Sequence, residues 1–485
     1  MSDLNLNLKR ILNWFGIGIP ENGSADDQMR RRVVMLAWPA MIDGLLITAV
    51  QVVDTFLVSR IGDEAVAGVG TAIQLVFVLI VLLTAISVGC SVLVSQAVGA
   101  RDPERASSIA KQSITAGTIL AIPLTIFGLV FASQLVGLFG VEPAVAVIAE
   151  DYWRVMAISL VVFVNSFAVA GILRGMGDTK TPMYGNLVAN VVNAVVAYGL
   201  IFGKLGFPEI GVVGSAWGTL AGRVLAVGLM VAVLVFRGKI VSLAGRSGWW
   251  PTMPTLRDVG RIGIPSAVEQ FSTSIAFAVM TATVAVLGTE ALAAHRITFN
   301  ALSLSFMPAL GMAMAATALV GQSTGAKDPA SARRAARISA SYAAIWMSMI
   351  GVVYFVFGPQ IMGFFSNDPE VVSQGGVSLR VLAFSQPFWA GMLVYSGSMR
   401  GIGNSRYPMV VNSITLWLAV ILGFIMIRGF DFGLGVVWSA FLVVSPWTIV
   451  FLRRRLMSDP LMSAGDEEPA QVAELVPEPD YKPAA

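Results

Sequence analysis

Three acidic residues lie in stretches of the chain that are otherwise predominantly apolar. Asp43 and Asp54 both fall within LAWPAMIDGLLITAVQVVDTF, residues 36–56, and Glu269 falls within GIPSAVEQFS. A charged side chain at the centre of a bilayer costs about 2.5–3.5 kcal/mol on insertion scales. Removal from water favours the protonated carboxyl group, whereas a bound sodium ion or organic cation favours the ionised form. Acids in such positions can therefore couple the binding of a cation or a proton to a conformational change.

Each of these acids could instead be a hydrogen-bonded group that only fixes helix packing. Acids inside membranes are usually functional, and we therefore predict that Asp43 and Glu269 bind a proton, a coupling cation or a cationic substrate. Asp54 lies near the outer end of its predicted helix, where interfacial water is within reach. For Asp54 the functional and the structural role both stay open.

The composition indicates that lipid, rather than water, surrounds most of the chain. Of the 485 residues, 56% are hydrophobic and 13% are charged, and the mean hydropathy is +0.76. Soluble domains contain about 25% charged residues. The single cysteine, Cys90, and the single histidine, His295, exclude a disulfide framework and a cysteine- or histidine-based metal centre. No catalytic constellation remains, so we expect neither an enzyme active site nor a nucleic-acid partner.

Twelve apolar stretches are each long enough to cross a bilayer as a helix, which takes about 20 residues. They cover residues 34–58, 71–98, 113–139, 152–173, 183–203, 211–236, 260–287, 297–321, 338–365, 377–399, 409–428 and 433–452. Placing both termini on one side assigns 25 of the 32 Lys and Arg residues to that side and 6 to the other. Cytoplasmic segments carry the excess of basic residues. We therefore expect a multi-pass membrane protein with both termini in the cytoplasm.

The chain contains an internal repeat. RGMGDTKTPMYGN (174–186) aligns with RGIGNSRYPMVVN (400–412), and VSQAVGARDPERA (94–106) aligns with VGQSTGAKDPASA (320–332), so that both pairs have an offset of 226. The same offset relates Asp43 to Glu269, each four residues after a proline, whereas the counterpart of Asp54 is Met280. Each half contains six spans, so the two halves have the same topology and are related by an axis along the membrane normal.

The repeat predicts an all-α membrane protein of two pseudo-symmetric six-helix bundles facing a central cleft. We expect an N-terminal lobe over residues 33–240 and a C-terminal lobe over 241–456, with rocking of the lobes opening the cleft to alternate sides. Residues 1–32 are expected to include an amphipathic helix on the membrane surface, and the acidic segment 457–485 is expected to be disordered.

Several other polar residues within the spans are weaker candidates. Asn193 and Thr219 could be ligands or interhelical hydrogen-bonding groups, and Arg223 could extend its side chain to the cytoplasmic interface. His295 lies at an outer helix start, where a cap or a packing role is expected. The two RG motifs at 174–186 and 400–412 combine glycines with a proline near the next helix start, and we interpret them as structural hinges.

At these residues the chain resembles the multidrug and toxic compound extrusion (MATE) family of efflux transporters, over about residues 33–455. The resemblance lies in strings such as PAMIDGLLITAVQVVDTFLVSRIG, NAVVAYGLIFG, GTEALAAHRI and the two RG motifs. It implies export of amphipathic, often cationic, small organic compounds in exchange for protons or sodium. The coupling ion would be the only cofactor. One chain would supply both lobes, so a monomer is expected.

The resemblance also assigns site residues, with departures from the family pattern. Asp43 would be the first-helix acid of the N-terminal lobe, with Asn193 and Thr219 as companions in a possible sodium site. Ala197 stands where the family often has a further acid. Glu269 would be the seventh-helix acid of the C-terminal lobe.

The acid on the tenth helix that accompanies the seventh-helix acid in some branches of the family is absent. Gln386 and Tyr395 are the nearest polar groups. Each presumed ion site thus lacks one acid, which favours protons over sodium without excluding sodium.

Two other transporter classes share a similar architecture. A lipid-linked oligosaccharide flippase of the same superfamily would need a cationic cleft for a pyrophosphate, and the sequence has no cluster of Arg or Lys inside the spans. A porter of the major facilitator type usually carries a basic Gly/Asp/Arg motif between its second and third spans, which GARDPERAS does not match. We keep the flippase as the alternative function.

Overall fold

The computed structural model describes residues 24–236, 240–430 and 433–463. Within these ranges the chain is all-helical and contains twelve long helices and two short ones, Ala132–Gly137 and Pro460–Ser463. The long helices are α1 Ala25–Ser59, α2 Asp63–Gly99, α3 Pro103–Val130, α4 Pro143–Met176, α5 Lys180–Phe202, α6 Val213–Phe236, α7 Met253–Ala285, α8 Thr289–Gly325, α9 Pro329–Phe365, α10 Pro369–Gly401, α11 Arg406–Phe430 and α12 Leu434–Met457. The predicted number of helices is confirmed.

Eleven of the twelve long helices are apolar and long enough to cross a membrane. The remaining one, α7, has 33 residues, but Glu269, Gln270 and several Ser and Thr residues lower its hydropathy. Its repeat counterpart α1 is one of the eleven. Glu269 is nevertheless buried, and α7 packs against α2 and α11.

The same local sequence signals set the helix starts in both halves of the internal repeat. Asp102 accepts a hydrogen bond from the backbone N–H of Arg105 at 2.9 Å and caps α3, and Asp328 caps α9 through Ser331 in the same way, also at 2.9 Å. In both cases a proline follows at the first helical position, where its missing N–H costs nothing. The repeated GARDP and GAKDP segments therefore lie between two helices in each half of the chain.

Helices α1–α6 form the N-terminal lobe and α7–α12 the C-terminal lobe, and the lobes meet along α1, α2, α7 and α8. Two glycines, Gly263 and Gly311, permit close approaches of the lobe backbones. A Cβ at Gly263 would lie 2.0 Å from the carbonyl oxygen of Ala85, and one at Gly311 would lie 2.9 Å from that of Ala37. The two contacts are related by the offset of the repeat. Both lie in the half of the bundle towards the face where α1 begins and α12 ends, which we call the termini face.

The linker between the lobes is attached to the N-terminal lobe by α3. Lys111 Nζ donates to the carbonyl oxygens of Ala244 at 2.6 Å and Ser247 at 3.2 Å, and Gln112 Oε1 accepts from the backbone N–H of Thr252 at 3.0 Å. The linker therefore ends at a fixed point immediately before α7. Of the predicted N-terminal segment 1–32, residues 1–23 lie outside the described residues, and residues 25–32 belong to α1. Of the predicted disordered segment 457–485, residues 464–485 lie outside the described residues, and Pro460–Ser463 form a short helix.

Candidate functional site

Asp54 lies at the centre of a buried polar cluster between α1, α5 and α6. Its Oδ1 accepts a hydrogen bond from Ser215 Oγ at 3.0 Å, and its Oδ2 accepts one from Thr219 Oγ1 at 3.4 Å. Ser215 and Thr219 are four residues apart on α6 and so share one face of that helix. Asn193 Nδ2 on α5 donates to Thr219 Oγ1 at 2.9 Å. We call these four residues the Asp54 cluster.

The Asp54 cluster presents oxygen atoms and has no basic partner. Only 7% of the Asp54 surface is exposed, and among the described residues no Lys or Arg lies within salt-bridge distance of its carboxylate. Asn193 Oδ1 is buried without a hydrogen-bond partner. Carboxylate, hydroxyl and amide oxygens are the donors that hard cations prefer. The arrangement can hold a proton on Asp54 or a small cation among these oxygens.

Asp43 lies in a second polar cluster, nearer the termini face, and this cluster contains two arginines. Asn186 Nδ2 donates a short hydrogen bond to Asp43 Oδ1, and Arg174 Nη2 lies 3.7 Å from Asp43 Oδ2. Arg223 Nη1 donates to Asn186 Oδ1 at 2.7 Å, and its guanidinium lies 5.3 Å from the centre of the Phe163 ring. We call Asp43, Arg174, Asn186 and Arg223 the Asp43 cluster.

Glu269 occupies the equivalent position in the C-terminal lobe with equivalent partners. Arg400 Nη2 lies 2.7 Å from Glu269 Oε2, and Asn412 Nδ2 donates to Glu269 Oε1 at 2.7 Å and to Ser396 Oγ at 2.9 Å. Arg400 and Asn412 are the repeat counterparts of Arg174 and Asn186. We call Glu269, Arg400, Asn412 and Ser396 the Glu269 cluster.

The three acids therefore differ in charge environment. Asp43 and Glu269 are buried, with 4% and 8% of their surfaces exposed, and each faces an arginine from its own lobe. A buried carboxylate that is neutralised in this way needs no further cation. Asp54 lacks such a partner, so of these three acids it is the best suited to bind a transported ion.

The structure corrects the predicted grouping of Asp43 with Asn193 and Thr219. Asn193 and Thr219 belong to the Asp54 cluster instead. The partners of Asp43 are Asn186 and Arg174. The proposed sodium site at Asp43, Asn193 and Thr219 is therefore not formed as one cluster.

Sequence reasoning missed the arginine and the asparagine at the two ends of each RG motif. We interpreted the motifs as hinges, but Arg174 and Asn186 hold Asp43, and Arg400 and Asn412 hold Glu269. A usable signal was present, because the acids and both motif ends share the offset of the repeat.

The remaining predicted residues lie away from the acid partners. Gln386 is fully buried on α10 with neither amide atom hydrogen-bonded within the described structure, and Tyr395 is half-buried. Neither is a hydrogen-bond partner of Glu269, whose polar neighbours are Arg400 and Asn412. His295 packs against Trp438, with ring centres 5.5 Å apart, and its Nε2 lies 3.2 Å from Thr281 Oγ1.

The sequence suggested that Arg223 could extend its side chain to the cytoplasmic interface. Instead, the side chain points into the N-terminal lobe and donates a hydrogen bond to Asn186. No group of three or more His, Cys, Asp or Glu residues that could hold a metal ion occurs among the described residues.

The family model described as MatE matches residues 39–199 and 265–425, and the second segment begins and ends at the repeat offset from the first, which confirms the repeat. A probable multidrug resistance protein NorM from Thermotoga maritima is 30% identical over 413 residues, covering 85% of this chain and 88% of the relative. The multidrug resistance protein NorM from Burkholderia vietnamiensis is 29% identical, covering 82% and 88%.

Solved structures of similar proteins have the same fold. One, described as an outward-facing conformation of a multidrug resistance MATE family transporter of the MOP superfamily, superposes with a TM-score of 0.82 at 25% identity over 90% of this chain and 97% of that chain. A MOP superfamily transporter from Pyrococcus furiosus, at 24% identity and a TM-score of 0.81 over 90% and 97%, supports the fold alone. Both NorM relatives are multidrug resistance proteins by name, which does not favour a flippase. The chain therefore belongs to the MatE family, that of the multidrug and toxic compound extrusion efflux transporters.

Proposed function

We propose that this protein is a secondary antiporter that exports amphipathic, cationic organic compounds in exchange for protons or sodium ions, and that Asp54 is its coupling carboxylate. The names of the multidrug relatives support small organic compounds as the substrates. The observation that carries the coupling proposal is that Asp54 is buried among hydroxyl and amide groups without a basic partner. Asp43 and Glu269 remain predicted participants, each already paired with an arginine.

Occupancy of Asp54 would change the charge inside the N-terminal lobe. An ionised Asp54 leaves one negative charge in a region of low dielectric constant, and a bound proton or sodium ion removes that charge. The more stable arrangement of the lobes would then depend on whether Asp54 holds an ion. This dependence is what couples ion binding to the movement of the lobes. A membrane potential of about 100 mV supplies about 2.3 kcal/mol per net charge moved, equivalent to about a fifty-fold gradient. Exchange of one proton or sodium ion for one monovalent organic cation moves no net charge, so the gradient of the ion alone would drive it.

The number of acids in the cluster is the observation that bears on which ion is exchanged. Ala197, one helical turn beyond Asn193, is fully buried, and a Cβ at Gly218 would lie only 2.8 Å from its methyl group. The tight contact between α5 and α6 at this point leaves little room for a second carboxylate. One acid suffices for a proton, and we therefore favour protons, while the unpartnered Asn193 Oδ1 is the observation that keeps sodium as the second candidate.

The test is transport of a fluorescent organic cation in proteoliposomes. Vesicles receive a proton gradient alone or a sodium gradient alone, and we expect the proton gradient to drive uptake. Asp54→Asn should abolish gradient-driven uptake, whereas Asp63→Asn, at the exposed first turn of α2, should retain it. Full coupled transport by Asp54→Asn would remove this residue from the mechanism, and uptake driven only by sodium would identify sodium as the ion.

Several further expectations belong to this proposal. The excess of Lys and Arg on the termini face supports a cytoplasmic location for that face in the bacterial inner membrane. A monomer would suffice, because one chain supplies both lobes. The lobe boundary near residue 240 lies within the segment attached to α3 by Lys111.

A further inference from the structure

We propose that Gln96 and Gln322 are gate residues of the transport cycle, which attach each lobe to the RG motif of the other lobe and hold the cleft closed at the termini face. Gln96 Nε2, near the end of α2, donates to the carbonyl oxygen of Gly401 at 2.9 Å. Gln322 Nε2, near the end of α8, donates to the carbonyl oxygen of Gly175 at 3.1 Å. Both hydrogen bonds connect one lobe to the other.

The two hydrogen bonds are a reciprocal pair. Gln96 and Gln322 are counterparts in the internal repeat, and so are Gly175 and Gly401. Each lobe therefore donates one side-chain amide and accepts one at a backbone carbonyl. The offset is the same as that of the acid clusters, so the repeat has preserved the contact between the lobes as well as the contacts within each lobe.

The accepting carbonyls are free because of the way in which α4 and α10 end. Gly177 and Gly403 have φ angles of +89° and +88°, a left-handed conformation that glycine adopts readily. Their backbone N–H groups turn back to the carbonyls of Arg174 at 3.0 Å and Arg400 at 2.8 Å. The last carbonyls of a helix have no donor within the helix. The opposite lobe supplies the missing donor at Gly175 and Gly401.

Glycines on the partner helices bring the glutamines into range. A Cβ at Gly99 would lie 1.8 Å from the backbone oxygen of Gln322, and a Cβ at Gly325 would lie 1.9 Å from that of Gln96. Any larger residue would force α2 and α8 apart. The backbone of each glutamine thus rests directly on the other lobe, and the side chain continues to the neighbouring RG motif.

The gate contacts lie one residue away from the acid contacts. Arg174 pairs with Asp43, and the next residue, Gly175, accepts the amide of Gln322. In the C-terminal lobe, Arg400 pairs with Glu269, and the next residue, Gly401, accepts the amide of Gln96. Each helix end is therefore held to the first helix of its own lobe through the arginine and to the opposite lobe through the glycine.

The gate can open at moderate cost because water can replace it. When the lobes separate at the termini face, solvent reaches both the glutamine amides and the glycine carbonyls and supplies the lost hydrogen bonds. The two bonds therefore bias the lobes towards closure at this face without locking them. This inference rests on the lobe movement of the proposed antiport, but it does not depend on which ion or substrate is transported.

The experiment measures the distance between the lobes at the termini face without substrate. Spin labels are placed at two exposed positions, Glu104→Cys on α3 and Arg337→Cys on α9, in a Cys90→Ala background, and the distance distribution is recorded by double electron–electron resonance in nanodiscs. Because no transport is required, failure of the Asp54 experiment leaves this measurement interpretable.

Each single substitution, Gln96→Ala or Gln322→Ala, should shift the ratio of long to short distances by about 2- to 12-fold, the effect of one net hydrogen bond. The double variant should show about the product of the two shifts. Gln374→Ala, whose amide bonds only within α10 to Glu370 at 2.7 Å, should leave the distribution unchanged.

An unchanged distribution in a monodisperse double variant would overturn the proposal. Should an alanine variant fail to fold, Gln96→Asn and Gln322→Asn keep the amide but shorten the side chain by one methylene group. They should give the same shift, and an unchanged distribution in these variants would also overturn the proposal.

Discussion

Arg400 and Glu269 form a buried ion pair between α10 and α7, with Nη2 and Oε2 2.7 Å apart. The repeat counterparts Arg174 and Asp43 face each other in the same way at 3.7 Å. Within each lobe the pair joins the end of the fourth helix to the first helix. The first helices are also among those that contact the other lobe, so these pairs connect the end of the fourth helix to the interface between the lobes.

Removal of the Glu269 charge should destabilise the protein. Glu269→Gln leaves Arg400 without its counter-ion, and breaking a buried pair costs about 3–5 kcal/mol. Because 22% of the Arg400 side chain is exposed, we expect a smaller loss of unfolding free energy, about 2–3 kcal/mol. Denaturation of the detergent-solubilised protein measures the loss. Asp151→Asn, which removes an exposed partner of Arg154, is the control and should cost about 1 kcal/mol or less. Equal effects of the two substitutions would contradict a structural role for the Glu269 pair.

The hydroxyl groups of the Asp54 cluster should tune binding of the coupling ion. Ser215→Ala or Thr219→Ala removes one hydrogen bond to the carboxylate, a net effect of about 1 kcal/mol. For sodium, loss of an oxygen ligand should raise the half-saturating concentration about five-fold. For protons, loss of a bond to the ionised form should instead promote protonation and lower the half-saturating proton concentration about five-fold.

Transport rate as a function of sodium concentration or pH measures this effect. The direction of the change therefore identifies the ion independently of the gradient experiment. Ser59→Ala, whose hydroxyl bonds only to the carbonyl oxygen of Phe56 at 2.8 Å, serves as the control. If Ser215→Ala and Ser59→Ala gave the same half-saturating concentration, the cluster would not be the ion site.

A methyl group at Gly263 should open the lobe interface. In Gly263→Ala the new Cβ would lie 2.0 Å from the carbonyl oxygen of Ala85, which backbone atoms can relieve only by moving apart. Overpacking of this kind costs about 1–3 kcal/mol, and we expect it to favour separation of α7 from α2. Inter-lobe distances from spin labels report the change. Gly228→Ala, on α6 with open space around the new methyl group, should leave the distances unaltered.

Loss of the Lys111 side-chain charge should release the linker. Lys111→Met removes hydrogen bonds to Ala244 and Ser247, and bonds from a charged donor are worth about 1.5–3 kcal/mol each. Trypsin cleavage at the exposed Arg246 should then become faster. Lys180→Met, at the exposed start of α5, provides the comparison, and equal cleavage rates in the two variants would show that Lys111 does not restrain the linker.

The sequence predicted the helices and their duplication because both depend on local or periodic properties. Runs of apolar residues specify spanning helices, and the Asp–Pro pairs at 102–103 and 328–329 specify helix starts. The identical offset in the RG motifs and the acids predicted which residues are equivalent. The polar α7 was also predicted, as the apolar stretch 260–287, although it is not among the eleven helices that are apolar enough to cross a membrane.

The partners of the acids were not predictable from the same information. Asp43 and Asp54 lie eleven residues apart on one helix, about 16 Å along its axis and on nearly the same face. Asn186 and Asn193 lie seven residues apart on α5. Which asparagine meets which acid depends on the crossing of α1 and α5, and that crossing is set by the packing of whole lobes.

By itself the sequence determined a membrane protein of two homologous six-helix lobes, with acids buried in the first helix of each lobe. Tertiary structure decided that Asp43 and Glu269 are neutralised by Arg174 and Arg400 while Asp54 is not. The physical reason is that charge compensation depends on distance in space, and these pairs are separated by more than one hundred residues along the chain.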